Sequence, residues 1–458
     1  MKSLLTILQF LRNTNQNEIA IEVLDKYAQN AEDAFSLATL SDVYMGFHKY
    51  EDAVKYGEMA LEKPIEQQEI KFAIEASLTS KYRAANFPEK ALKILNKVYE
   101  DNPTVAVLLE KAGCLYEANL KDESYELLQS VNDDNLEEEL LTKKNSLMGP
   151  HLLRNHQFKD GMKSVVFETD KLRNAEHGSE VYHNKSSLPL EFWKGTNDCK
   201  NLIVFAEAGL GDEIISIRFI NKLKNKGINV KWLAFWHKDA EINKRVGAFD
   251  WYKKNGFDVI TELNPVEHKD YMWTYSQFLP ILLDLDEDEL WDGPYMKAGK
   301  KKLKANKKKN IAIRWGGNPY PKHRNFPLKD LYAVLKDVDA NFYSLQKDYD
   351  MDELKDFPGI IDLSDKIESF SDTAEYINSM DLVITCATCI CPAAGALDKE
   401  NITIIPINDY YVFNTLNNKT PWFSDKMTLV RQKTPRVWSD IMDEVATLVK
   451  EKLAKCVN

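Results

Sequence analysis

A large residue followed nine positions later by a small one recurs through the first third of this chain, at Leu11/Ala20, Tyr44/Ala53 and Tyr82/Ala91. The stretches "YMGFHKYEDAVKYGEMALEKP" and "YRAANFPEKALKILNKVYEDNP" align almost without gaps, and both end in proline. A third copy, "AVLLEKAGCLYEANLKDESYELL", keeps Gly113 and Tyr116 but has Tyr125 at the small position. A fourth, "LLRNHQFKDGMKSVVFE", has Gly161 there. The large residues fall at 11, 44, 82, 116 and 152, intervals of 33, 38, 34 and 36. A period in this range marks one supersecondary unit stacked on copies of itself. Two antiparallel helices approach closely only where a small residue lets them, and the large partner fills the space beside it. Each unit leaves an apolar face for the next, so the array is stable only when stacked.

The spacing resembles that of tetratricopeptide repeats, whose period is about 34 residues. Residues 1–185 are therefore expected to form an α-solenoid. Two readings of it stand: a structural spacer, or a concave surface that binds a partner or substrate. At 458 residues the chain exceeds one ordinary core, so further domains must follow. A hydrophobic content of 44% with 29% charged residues describes a globular protein, not a disordered one. The formal net charge of −11 argues against a general nucleic-acid binder, although a local basic patch is compatible with it. The opening "MKSLLTILQFLRNTNQ" has a short apolar run broken by Gln9 and no small-residue cleavage site, so it does not read as a signal peptide. No window reaches the apolar length of a membrane span. The six cysteines are Cys114, Cys199, Cys386, Cys389, Cys391 and Cys456, too scattered for a disulfide framework. The expected location is a reducing cytoplasm, the host's if the chain is phage-encoded.

From about residue 196 the pattern becomes short β-rich runs alternating with helices. "NLIVFAEA", "NVKWLAFW" and "FDVITEL" read as strands, separated by the helical "DEIISIRFINKLKNKG" and "AEINKRVGAFDWYKKNG". A lysine-rich stretch, "KAGKKKLKANKKKN" (297–310), reads as a solvated hinge, with an anionic-partner site as the other reading. A second series follows in "NIAIRWGGNP", "NFYSLQKD", "GIIDLSD", "DLVITCATC" and "NITIIPIN", and "PRVWSDIMDEVATLVKEKLAK" reads as a closing helix. The fold class is thus α plus α/β: an N-terminal solenoid over 1–185, Rossmann-like domains over 196–300 and 301–440, and a closing helix over 441–458. Two such domains place a crevice at the carboxyl ends of their strands, where open α/β sheets bind ligands.

One turn in the first series stands out. In "VFAEAGLGDEIISIRF", Gly209 and Gly211 make a strand-to-helix turn of the kind that suits an anion, yet it presents Asp212 and Glu213. As a helix cap, aspartate is ordinary there; as a base, a carboxylate in reach of a hydroxyl can take its proton. Glu213 reads as a first-turn acid that suits the helix dipole.

Five motifs in order carry a resemblance over most of the chain. They are Pro189, Trp193 and Gly195 in "LPLEFWKGT", then "AEAGLGDEIISIRF", "IAIRWGGNPYPKHRNFPL", "SDTAEYINSMDLVIT" and "AAGAL". Together they resemble bacterial and phage tetratricopeptide proteins with a C-terminal domain similar to the heptosyltransferase family, and more distantly the repeat-bearing O-linked N-acetylglucosamine transferases. The resemblance implies a two-Rossmann (GT-B-type) glycosyltransferase using a nucleotide-diphosphate sugar, with no bound metal and no covalent cofactor. It implies that Asp212 is the general base for the acceptor hydroxyl, which favours an inverting outcome. Its donor site would be Arg314, Gly316, Gly317, Asn318, Lys322 and Arg324, with Thr388 helping to receive the diphosphate and Gln346 lining the nucleotide pocket. Asp372 has two readings, an acceptor for ribose hydroxyls or an N-cap for "TAEYINSM". The acceptor stays open among a glycan, a protein hydroxyl and a modified DNA base.

The chain departs from that family at "CATCICPAAGAL", where Ala387 stands for an aspartate and Pro392 for a histidine. Cys386, Cys389 and Cys391 crowd this loop; a zinc site and small buried fillers are both readings, without a fourth ligand at customary spacing. The departure favours a rival function, a non-catalytic scaffold in which a decayed transferase domain supports a repeat surface for a protein partner.

Overall fold

The structure is a computed structural model and describes residues 2–455 apart from 15, 102, 135, 169–189, 197, 207–208, 235–245, 265, 305, 318–321 and 348–349. It divides into two compact units, Met1–Asp134 and Asn135–Asn458.

The first unit is four helical hairpins: α1 (Lys2–Asn13) with α2 (Asn17–Ala28), α3 (Ala34–Gly46) with α4 (Tyr50–Leu61), α5 (Gln68–Ala84) with α6 (Pro88–Asp101), and α7 (Val105–Glu117) with α8 (Lys121–Gln129). Ala20, Ala53 and Ala91 have no exposed surface, and Tyr44 and Tyr82 are buried beside them. The hairpin turns repeat as well. The amides of Gln16, Lys49 and Phe87 bond back to the carbonyls of Leu11, Tyr44 and Tyr82 at 2.8, 2.9 and 2.7 Å. His48, Asn86 and Asn119 supply the left-handed residue at three turns, a conformation that Asn and His tolerate better than most side chains. The long interval of 38 residues is absorbed by α5, which has 17 residues against 13 in α3 and α7. This is a tetratricopeptide-like array. The last large/small pair, Leu152/Gly161, falls on a hairpin of the second unit, α9 (Glu138–Arg154) with α10 (Phe158–Lys163). A Cβ on Gly161 would lie 2.7 Å from Leu153 Cγ, so the close approach is real there too.

The second unit continues with β1 (Asn201–Phe205), α11 (Leu210–Ser216), α12 (Phe219–Asn225), β2 (Asn229–Leu233), α13 (Val246–Lys254), β3 (Val259–Ile260), β4 (Met272–Tyr275) and α14 (Leu279–Leu282). Its four strands are all parallel, in the order β3-β2-β1-β4. Then come β5 (Lys309–Arg314), α15 (Leu328–Leu335), β6 (Ala340–Ser344), β7 (Ile360–Asp362), α16 (Phe370–Ser379), β8 (Leu382–Cys386), α17 (Ile390–Ala396), β9 (Asn401–Ile405), β10 (Met427–Arg431) and α18 (Met442–Lys455). These six strands are parallel in the order β10-β9-β8-β5-β6-β7. Both sheets have the Rossmann sequence of crossovers, and each reverses direction beside its own first strand. Strands β4 and β10 were not anticipated. The single helix expected over "DEIISIRFINKLKNKG" breaks at Ile217–Arg218 into α11 and α12.

The lysine run is largely solvent-exposed, with Lys297, Lys300, Lys302, Lys304, Lys307 and Lys308 all exposed, and it is also tethered at points. The Lys301 amide donates to Ser379 Oγ at 2.7 Å and the Lys304 amide to Tyr343 Oη at 3.1 Å. Lys301 Nζ lies 2.6 Å from Asp372 and 3.2 Å from Glu375, and Lys308 and Lys309 pair with Asp339 and Asp381. Acidic residues of the second sheet's layer thus anchor the connection at Lys301, Lys308 and Lys309.

One buried core runs through both lobes of this unit, from Ile214, Phe219 and Trp251 to Ala393, Trp422 and Phe423. At its centre Arg218, only 6% exposed, donates to the carbonyls of Ile215 (2.8 Å), Leu290 (3.2 Å) and Trp422, and to Tyr295 Oη (2.9 Å). Its guanidinium lies 4.4 Å from the Tyr295 ring centre and 4.6 Å from that of Phe423. Among the described residues no helix is long and apolar enough to cross a membrane.

Two substitutions should act on different units. Ala91→Leu overpacks the repeat array and should cost about 1–3 kcal/mol. Arg218→Ala strips several buried acceptors of their donor and should cost on the order of 3 kcal/mol. Denaturant unfolding of the full chain should show the two changes in different transitions; a shared transition would contradict the division.

Candidate functional site

In an open parallel sheet the ligand crevice lies outside the carboxyl ends of the strands that flank the reversal. In the first sheet these are β1 and β4, in the second β5 and β8. The turn after β1 leads into α11 through Gly209, whose backbone is extended. Asp212 is the third residue of that helix, and its Oδ2 accepts from the Gly209 amide at 2.7 Å. It therefore caps the helix with one oxygen. The other, Oδ1, accepts from the hydroxyl of Tyr410, which comes from the loop after β9 in the opposite lobe. Gln277, in the turn after β4, reaches the same phenol oxygen with Nε2 at 3.3 Å. Burial of that hydroxyl and the neighbouring Asp212 carboxylate push the phenol well above its ordinary range, so it stays a proton donor. Glu213, next along, is fully buried.

Across the crevice, β5 ends at Arg314. Its Nε donates to the Gly316 carbonyl (3.0 Å) and its Nη1 to that of Leu345 (2.9 Å). The Gly316 amide donates to Oε1 of the buried Gln346 at 3.0 Å, and the Gly317 amide to Asn325 Oδ1 at 3.1 Å. Neither glycine has room for a side chain. A Cβ on Gly316 would lie 2.4 Å from Asp350 Oδ2, and one on Gly317 would lie 2.7 Å from Thr388 Cγ2. Arg324 donates to the Ala387 carbonyl at 3.1 Å, which ties the basic turn to the loop after β8. Arg314, Gly316, Gly317, Arg324, Gln346 and Thr388 are thus brought together. Asn318 lies outside the described residues, as does the side chain of Lys322.

Asp372 is not in this group. It occupies the third position of α16, where Ser369 is the N-cap; its Oδ2 accepts from the Ser369 amide (3.0 Å) and its Oδ1 from Lys301 (2.6 Å). Of its two readings the cap is the one seen, made from within the helix and not from the N-cap position.

The two rims meet. A Cβ on Gly211 would lie 3.5 Å from Cys389 Cα and 3.6 Å from Pro392 Cγ. The proline that replaces the expected histidine therefore packs against the Asp212 turn. Between the rims is a cavity of about 170 Å³, lined by Leu210, Arg314, Lys347, Ser369, Cys389 and Ile390 among others. Ligand pockets are usually roughly 300–1,000 Å³, so this cavity is small for a whole nucleotide sugar. Larger cavities, of about 900 Å³ beside His156 and about 630 Å³ beside Trp251, lie away from the strand ends. Several charged groups of the first are engaged with one another, Lys159 with Asp286 and His156 with Glu287.

Cys386 and Cys391 are buried, and burial pushes both thiols up to about 12, which keeps them protonated fillers. Among the described residues no group of three or more His, Cys, Asp or Glu is placed to hold a metal. Tyr410 and Gln277 escaped the sequence reading. The available signal was position: each lies just after a strand, at the sheet edge where function concentrates.

No protein-family model matches the chain, and no curated protein sequence does. Among solved structures it is similar to the E. coli heptosyltransferase WaaC with ADP, at 11% identity over 56% of this chain and 99% of that one, TM-score 0.34. It is similar to a glycosyl transferase family 9 protein from Veillonella parvula, at 10% identity over 57% and 100%, TM-score 0.37. It is also similar to YrrB, a TPR protein with an unusual peptide-binding site, at 17% identity over 40% and 90%, TM-score 0.24. These likenesses are too distant to carry a functional argument.

Two predictions follow from the local chemistry. Gly317→Ala drives a methyl into Thr388 and should distort the turn while leaving secondary structure intact, visible as altered amide shifts confined to 314–325 and 385–390. For Asp372, burial raises the pKa, but hydrogen bonds from Lys301 and Ser369 outweigh it and hold the carboxyl below its ordinary 3.8. Its ionised form stabilises the fold above about pH 4, and the contribution is lost as pH falls through the folded value. Asp372→Asn should therefore be less stable than wild type at pH 7, with the gap closing below about pH 4 in urea titrations.

Proposed function

We propose that the second unit is a GT-B-type glycosyltransferase that moves a sugar from a nucleotide-diphosphate sugar to an acceptor hydroxyl. The observation that carries the reading is the convergence of strand-end turns on one crevice. The carboxylate turn, Gly209–Asp212, packs against Cys389 and Pro392 in the loop and helix after β8, Arg324 donates to Ala387 of that same loop, and Leu210 and Arg314 line one cavity. In this reading residues 196–300 face the acceptor, 301–440 hold the donor, and 441–458 close the fold.

Asp212 Oδ1 takes the acceptor proton as the acceptor oxygen bonds to the anomeric carbon and the carbon–oxygen bond to the diphosphate breaks. The leaving diphosphate gains charge, which Arg314, Arg324, Lys322, the Thr388 hydroxyl and the Gly316–Asn318 backbone would meet. Arginine suits this through its planar, paired donors. A direct displacement with one base inverts the anomeric centre, and no metal is called on. The repeats of the first unit would present the acceptor, be it glycan, protein or modified DNA base, in a cytoplasmic setting.

The second reading, a non-catalytic scaffold, is favoured by one observation: Arg324 and Asp212 already have protein partners, Ala387 and Tyr410. Thermal-shift measurements against nucleotide sugars and nucleoside diphosphates separate the two. A ligand at about a hundred times its Kd adds about 2.7 kcal/mol of stability. The transferase reading predicts a selective shift that is lost in Arg324→Ala and kept in Asp212→Asn. It also predicts that Asp212→Asn lowers turnover by about 10²–10⁴-fold. No shift across a broad panel supports the scaffold.

A further inference from the structure

The surroundings of the Tyr410 hydroxyl match those a nucleophilic hydroxyl would need. It donates its proton to Asp212 Oδ1 and accepts from Gln277 Nε2 at 3.3 Å. Asp212 and Gln277 belong to the turns after β1 and β4, on either side of the reversal in the first sheet. Tyr410 comes from the other lobe, after β9. Its ring lies against that of Tyr411, 4.3 Å between centres, and Tyr411 is itself buried. Tyr410 remains 37% exposed, so one face of the ring is open to displacement.

We propose that Tyr410 holds the place of the acceptor hydroxyl in the resting molecule and latches the two lobes across the crevice, so that the acceptor must displace it to reach Asp212. This rests on the glycosyltransferase reading. It fits a cavity of about 170 Å³ at a site meant for a larger ligand, since the Tyr410–Asp212 bond crosses from one lobe to the other where that ligand would enter. On displacement the acceptor oxygen inherits the Gln277 contact, its proton passes to Asp212, and its remaining lone pair faces the anomeric carbon. The phenol also keeps water off the base, which would suppress wasteful hydrolysis of the donor.

The variant Tyr410→Phe removes the hydroxyl and keeps the ring. Two measurements on the full chain test it. Without any ligand, hydrogen exchange of the amides in 209–216 and 276–282 should quicken by roughly tenfold, the weight of one hydrogen bond to a charged group. With the nucleotide sugar that gives the largest thermal shift, release of nucleoside diphosphate in the absence of acceptor should rise by roughly tenfold, and fall back in Tyr410→Phe/Asp212→Asn. Unchanged exchange overturns the latch. Wild-type hydrolysis that drops in Tyr410→Phe overturns the place-holding role, because the phenol would then be assisting. Faster exchange with no hydrolysis in either protein, across all nucleotide sugars tried, leaves the latch and sinks the transferase reading beneath it.

Discussion

The buried Arg218 is the contact on which the geometry of the second unit depends. It sits where a single helix would otherwise run on, between α11 and α12, and every acceptor it uses is neutral. Burial alone pushes its pKa down, but a guanidinium is too basic to lose its proton in a protein. The charge is instead spread over carbonyl dipoles and the ring faces of Tyr295 and Phe423, a solution open to a planar cation and not to lysine. The groups it joins come from three distant stretches, at 215–218, 290–295 and 422–423. Holding these together ties the two lobes to one another at Arg218. Gly395 follows from the same constraint, since a Cβ there would lie 2.3 Å from the Phe423 ring.

With the lobes closed the crevice is narrow, and narrowness bears on its composition. Backbone meets backbone at Gly211 against Cys389, and a Cβ would press on the Asp350 carboxylate at Gly316 and on the Thr388 methyl at Gly317, so glycine suits these last two positions. Side chains that remain have two duties. Asp212 caps α11 with one oxygen and meets Tyr410 with the other, which is why the cap and base readings do not compete. Arg324 holds the loop after β8 while its charge faces the same turn. Pro392 packs against the carboxylate turn where a histidine's polar ring would have been set against glycine backbone.

What could be read from the sequence was local and periodic. The pairs Tyr44/Ala53 and Tyr82/Ala91 announced the repeats because helix approach is decided by residue size at fixed spacing. The buried strands of the second sheet were plain in "IAIR" and "LVITC" for the same reason, being apolar on both faces. "MWTY" and "MTLVR" do not stand out as strands, because runs of four or five residues that include a threonine carry no strong period. The lysine run reads as solvated and most of it is exposed, but its tethers to Asp339, Asp372, Glu375 and Asp381 leave no local signal, because they lie dozens of residues away. Asp212 and Arg324 were visible through their motifs, whereas Tyr410 belongs to no motif and meets Asp212 only across the crevice. Charge and hydroxyl partners at long range are settled by tertiary packing, and composition does not reveal them.

The most direct test of the crevice as a donor site is a structure of the full chain with the nucleoside diphosphate that stabilises it most. The account predicts the diphosphate between Arg314, Arg324 and Thr388, with Arg324 drawn off the Ala387 carbonyl. A diphosphate bound elsewhere, such as the large cavity beside His156 and Lys159, with Arg324 still on that carbonyl, would contradict it.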